Sequence, residues 1–269
     1  MRVRPGSNAQ RTLSVFPNSR AGDRGNFRIN SLLWMAAIAL LLVPITTLID
    51  IPIARWFATD PLPGELGDAL DLSLVYAHGT GIFFILVSVI LLAPRRRWHV
   101  PRMAVLAMGG GAVATLIKMF VLRQRPNSIP NLDILGHDYA WNWSFDWSLQ
   151  YVAYFDASTR AFPSAYLATA TALTVGLCVV FPRGRWLFVA LCLSTMIQRM
   201  YCGSHFISDL FGSAFVGLFW AFVCHHPSRL GNLFDKIEPE KSRRRTRSTV
   251  AVSVGQASKD DHATDRVAA

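Results

Sequence analysis

Six runs of predominantly apolar residues, at about 31–49, 73–93, 100–122, 165–181, 186–200 and 209–224, constrain this chain more than any other feature. Each approaches the roughly 20 residues that an α-helix needs to cross a bilayer core. With 52% hydrophobic and only 16% charged residues, the chain has too little polar surface to clothe a water-soluble domain of its length. The runs also lack the polar stripes that helices of a soluble core carry. The expected fold is all-α: a six-transmembrane helix bundle spanning 31–224.

Charge placement orients the bundle, because Lys and Arg in short loops resist translocation and mark the cytoplasmic side. Residues 1–30, 94–102, 182–186 and 225–269 carry net charges of +5, +4, +2 and +3. They share one side if six helices alternate. The opposite loops, 50–72 and 123–164, carry −4 and −1. Both termini are therefore expected inside an integral membrane protein of the plasma or inner membrane. The overall charge of +10 follows from topology and calls for no nucleic-acid partner.

Residues 1–30 and 225–269, rich in Arg, Ser, Thr and small residues, read as disordered, flexible cytoplasmic tails. The N-terminal stretch lacks the short apolar core of a cleavable signal, so the first run reads as a retained signal-anchor helix. Cys178, Cys192 and Cys224 lie inside apolar runs and Cys202 beside one. Without metal-type spacing, they are expected to be packing residues.

The polar exceptions carry the chemistry. Three separate segments reach the outer face in this topology: Lys118 to Arg125 and Pro126, Phe162 to Tyr166, and Gln198 to Asp209. Lys118 and Arg125, seven apart, are expected on one side of a helix that Pro126 stops. Taken alone, Lys118 reads equally well as a snorkelling cation and Arg125 as a helix-end anchor. Arg199 adds a guanidinium suited to bidentate phosphate binding. Ser164 reads as an N-cap, and Gly203 and Ser204 introduce the last helix, so two helix N-termini are expected to aim free N–H groups at an anion. His205 and Asp209, four apart, are expected one above the other on the first turn of that helix, the carboxylate holding one ring nitrogen and freeing the other to attack.

Together these segments resemble the motifs of the type 2 phosphatidic acid phosphatase and vanadium haloperoxidase superfamily: K-x6-RP, PSGH and SR-x5-H-x3-D. The first and third spacings match in full, and six membrane helices agree with the lipid-phosphatase branch. The resemblance implies that Lys118, Arg125 and Arg199 bind phosphate, and that Ser164 and the Ala165 amide add hydrogen bonds. It further implies that His205 attacks phosphorus to form a phosphohistidine and that Asp209 orients it, with no cofactor and no metal.

Three positions depart from the pattern. Gln198 stands for Ser, Ala165 for Gly, and Tyr166 for the His that protonates the leaving alcohol. A phenol, with a reference pKa near 10, is a poor donor at neutral pH, and general-acid help is typically worth about 10²- to 10⁴-fold. Tyr166 is the residue left at that catalytic position, with His137 in the outer loop as a distant substitute. That loop also carries Tyr139, Trp141, Trp143, Phe145, Trp147, Tyr151, Tyr154 and Phe155. It is expected to form an interfacial aromatic belt and part of the substrate entrance, with a short interfacial helix.

The resulting expectation is a membrane phosphatase whose partner is a phosphorylated lipid, hydrolysed as a monoester or pyrophosphate at the outer leaflet. The alternatives are a lipid phosphotransferase of the same fold and a low-activity or non-catalytic phospholipid-binding member.

Overall fold

The computed structural model describes residues 20–59, 62–130, 132, 136, 139, 141, 143–147, 156 and 158–238. Most of both tails, together with His137, Tyr151, Tyr154 and Phe155, lies outside the described residues. Nine helices run through the rest: α1 (Arg20–Thr47), α2 (Asp50–Thr59), α3 (Gly64–Ser73), α4 (Gly79–Leu92), α5 (Val100–Phe120), α6 (Ala165–Val180), α7 (Arg185–Tyr201), α8 (Ile207–His225) and α9 (Asn232–Ile237). No strand forms among the described residues, apart from isolated bridges between Val121 and Phe145 and between Gln124 and Arg160.

Three stretches, Ile29–Thr47, Arg97–Phe120 and Ile207–His225, are long and apolar enough to cross a membrane. A fourth crossing is available from 64–77 and 79–92 taken together, a pair bent by 66° at His78. α6 is apolar but has only 16 residues, and α7 has 17. On α7 the polar side chains Thr195 and Gln198 are buried, while Trp186, Leu187, Leu193 and Ile197 face outward. Large apolar side chains line the exterior elsewhere too, among them Trp34, Leu41, Phe83, Phe84 and Leu91. Such an outer surface is stable against lipid rather than water. The chain is an integral membrane protein.

α5, α6 and α8 form the centre, with α1 packed against α8, and α7 against α6 and α3. Small residues let these backbones approach, since apolar burial gives helices little reason to associate inside lipid. A Cβ on Gly217 would come within 2.6 Å of the Ala168 carbonyl oxygen. Ala107, Ala114, Ala168, Ala170 and Ala172 are fully buried around that crossing.

Residues 50–72, read from the sequence as a loop, contain helices α2 and α3, set after α1 and before the bend at His78. Residues 225–238, read as part of a tail, include α9, which folds back onto the start of α5. Arg102 pairs there with Asp235 at 2.8 Å and Glu238 at 3.1 Å, and His99 meets Glu238 at 3.0 Å. The Arg102 guanidinium also covers the ring of buried Phe234 at 5.3 Å.

Candidate active site

Lys118 occupies the last turn of α5 and is buried. It does not share a helix with Arg125, because α5 ends at Phe120, six residues before Pro126. From Val121 the chain turns extended and pairs laterally. Leu122 N–H donates to the Ser144 carbonyl (2.9 Å), Asp146 N–H to Phe120 (2.8 Å) and Ala161 N–H to Arg123 (2.7 Å). Arg160 then takes the place of helix continuation, its guanidinium donating to the Lys118 and Met119 carbonyls at 3.0 and 2.6 Å. A cation there also complements the helix dipole. Arg125 lies in extended backbone, as the residue before a proline should. The tertiary pairing thus brings Lys118 and Arg125 into electrostatic reach of each other and of Arg199 by a route other than helical periodicity.

The described part of the aromatic loop takes part in this pairing through Phe145, and the short interfacial helix expected in this loop lies largely outside the described residues. Trp143 packs edge-on to Phe162 at 5.0 Å, while Trp141, Phe145 and Trp147 are exposed.

At the other side of the site, Gly203 adopts a left-handed φ of +62° that reverses the chain after α7. Its carbonyl accepts from Asn127 N–H at 2.9 Å, tying the turn to the segment that carries Arg125. α8 begins only at Ile207, with Phe206 as its N-cap. His205 therefore sits in the loop before the helix, not on its first turn, and is not stacked over Asp209.

Asp209 makes no hydrogen bond to His205. Its Oδ2 accepts from the Phe206 amide at 2.9 Å, and its Oδ1 pairs with Arg123 at 2.5 Å. Arg123 also reaches Asp50 at 2.6 Å and donates to Ser208 Oγ at 2.7 Å. Asp50 in turn accepts from Ser208 N–H at 3.0 Å and from the Ser208 hydroxyl. Two of the first amides of α8, those of Phe206 and Ser208, are thus satisfied by the chain's own carboxylates.

The guanidinium of Arg123 is also enclosed by Trp143 and Phe206, at 4.2 and 4.5 Å from their ring centres. Arg123, Asp50 and Asp209 are all buried, the last without exposure. Sequence reading counted Arg123 and Asp50 only as loop charges. Their signal was position: Asp50 closes an apolar run, and Arg123 lies two residues before Arg125.

α6 keeps an open N-terminus. Ser164, fully buried, caps it by accepting from Leu167 N–H at 3.4 Å, while its own amide donates to Ser213 Oγ at 2.6 Å. Among the described residues nothing accepts from the amides of Ala165 and Tyr166. Tyr166 is half-buried and packs against the core cluster that includes Tyr76 and Ala77. Its ring carries the Arg199 guanidinium at 5.1 Å and stacks on His78 at 6.3 Å. Arg199 donates to Cys202 Sγ at 2.9 Å and Ser204 Oγ at 3.2 Å, so Cys202 holds a site residue rather than merely filling space.

His205 lies where these segments meet. It is 3% exposed, and its Nδ1 is buried without a hydrogen-bond partner, as is Arg199 Nε. Burial first, then the charges of Lys118, Arg199 and Arg125, hold the imidazole well below its usual titration range, against a smaller opposing effect of the Ala161 backbone. A ring held neutral keeps the lone pair that nucleophilic attack needs.

Comparison with known proteins agrees with this geometry. A profile described as the PAP2 superfamily matches residues 100–229. Among solved structures, the chain is similar in fold to a transmembrane PAP2-type phosphatidylglycerolphosphate phosphatase from Bacillus subtilis. The identity is 17% and the TM-score 0.50, over 78% of this chain and 96% of that one. No characterised protein matches by sequence search. The profile covers all three polar segments and the helices that carry them, so residues 100–229 are similar to the PAP2 superfamily.

Proposed function

We propose that the protein is a lipid phosphatase that cleaves a phosphomonoester or pyrophosphate at the outer leaflet of the plasma or inner membrane. Lys118, Arg125 and Arg199 grip the phosphate oxygens, and Ser164 with the Ala165 amide completes the cradle. His205 attacks phosphorus, the P–O bond to the lipid breaks, and water later hydrolyses the phosphohistidine. Asp209 acts at one remove: through the Phe206 amide and Arg123 it holds the backbone that presents His205.

One observation chiefly supports this reading. Three cations from two segments bear on one buried neutral imidazole, and its Nδ1 and Arg199 Nε are buried nitrogens that lack a partner and would gain one from phosphorus or a phosphate oxygen. Fixed positive groups around a transferring phosphoryl group stabilise its transition state without needing further chemistry from the protein. Candidate substrates are phosphatidic acid, phosphatidylglycerophosphate, undecaprenyl pyrophosphate and lipid A phosphates.

Phosphate release from this panel by purified protein, with His205→Ala alongside, tests the reading. Release by the wild type and loss of at least about 10³-fold in the variant is expected. Equal release by both proteins would remove His205 from the mechanism. Transfer of labelled phosphate to a second lipid instead of water would make the enzyme a phosphotransferase.

A further inference from the structure

The position at which the superfamily motif has an acid carries Tyr166, whose hydroxyl makes no hydrogen bond among the described residues. An alkyl leaving group departs as an alkoxide unless something protonates it, and imidazole is the side chain whose proton exchanges most readily near neutral pH. The fold brings one to this place from a segment that no motif contains. The bend of 66° between α3 and α4 puts His78 at the start of α4. Its ring lies nearly parallel to Tyr166, at 18° and 6.3 Å between centres. The same Tyr166 ring carries Arg199, so His78 stands one aromatic ring away from a phosphate-binding cation. Thr80 holds the Nδ1 edge, its hydroxyl at 3.0 Å and its amide at 3.4 Å. Nε2 is left as the edge free to gain and lose a proton, on an exposed side chain.

We infer that His78, and not Tyr166, is the general acid of this enzyme, with Tyr166 serving as the platform on which it stacks. The inference rests on the phosphoenzyme reading above. As His205 forms its bond to phosphorus, the bond from phosphorus to the lipid oxygen breaks with its electron pair moving to oxygen, and that oxygen takes the Nε2 proton of His78. The reacting form of His78 is the imidazolium, in which Nδ1–H donates to the Thr80 hydroxyl in place of the hydrogen bond that unprotonated Nδ1 accepts from the Thr80 amide. The neutral His78 then accepts a proton from the water that displaces His205 from phosphorus, which returns both rings to their starting states.

Leaving-group dependence separates this role from a structural one. The full chain, with His78→Gln, Tyr166→Phe and His205→Ala variants, is assayed on an alkyl lipid phosphate and on p-nitrophenyl phosphate, whose phenolate leaves without a proton. His78→Gln is expected to lose about 10²- to 10⁴-fold in kcat on the alkyl substrate and less than about tenfold on the aryl one. Tyr166→Phe, which keeps the platform, is expected to affect the alkyl and the aryl substrate alike. An equal loss on both substrates, or no loss on the alkyl one, overturns the assignment, and so does an alkyl-selective loss in Tyr166→Phe. In all these cases inactive His205→Ala leaves the phosphoenzyme reading intact. Hydrolysis at the wild-type rate by His205→Ala defeats that reading and the role of His78 with it.

Discussion

At the scale of single residues, the site is a balance of like charges around a ring that has to stay neutral. Lys118, Arg199 and Arg125 each make a proton on His205 less favourable, and burial does so most of all. The same cations are what a dianionic phosphate needs, so in the function we propose one arrangement would both prepare the nucleophile and bind the substrate. The sign of the coupling can be tested. Lys118→Met keeps the side-chain volume and removes one positive neighbour, so the His205 imidazole should titrate at higher pH than in the wild type. Carbon-13 or nitrogen-15 histidine spectra of the protein in lipid nanodiscs would follow this, and a midpoint unchanged or shifted downward would mean that Lys118 does not act on His205. Tyr166 illustrates a different point: a substitution at a motif position alters the chemistry only after one knows which neighbours the new side chain meets, here His78 and Arg199.

Among elements, the start of α8 is the piece on which the others converge. Asp50 from α2 and Asp209 from α8 both accept hydrogen bonds from amides at the start of that helix, and Arg123 neutralises the pair. Removing one member of a buried ion network leaves the others charged and unpaired, at a cost of about 3–5 kcal/mol. Arg123→Met should therefore lower the thermal midpoint of the purified protein markedly and release the loop that carries His205. A variant as stable as the wild type would show that the two carboxylates are not both ionised. The C-terminus of α5 obeys the same physics with opposite sign, its last carbonyls meeting the guanidinium of Arg160.

For the molecule as a whole, the basic segments at 1–30, 94–102, 182–186 and 225–269 carry the orientation we propose, with both termini inside and the site facing out. A tag placed after Ala269 should be shielded from proteases and antibodies added to intact cells; labelling from outside would invert the topology and move the site to the inner face. The class of the fold was legible in the sequence by itself, because hydropathy over about 20 residues is a property of the chain that any lipid environment reads alike. The candidates Lys118, Arg125, Arg199 and His205 could be named from the sequence too, since the motif spacing is written in the chain. What only the tertiary structure decided is how those residues meet. Periodicity placed Arg125 on the helix of Lys118 and His205 over Asp209, yet α5 stops at Phe120 to pair with 144–146, and α8 starts after His205. Asp50 and His78, from outside any motif, and Arg123, at an unspecified position within K-x6-RP, were brought beside those residues by tertiary contacts. A helix end is set by which partners satisfy its last amides and carbonyls, and these partners lie up to 158 residues away along the chain, where no local pattern can point to them.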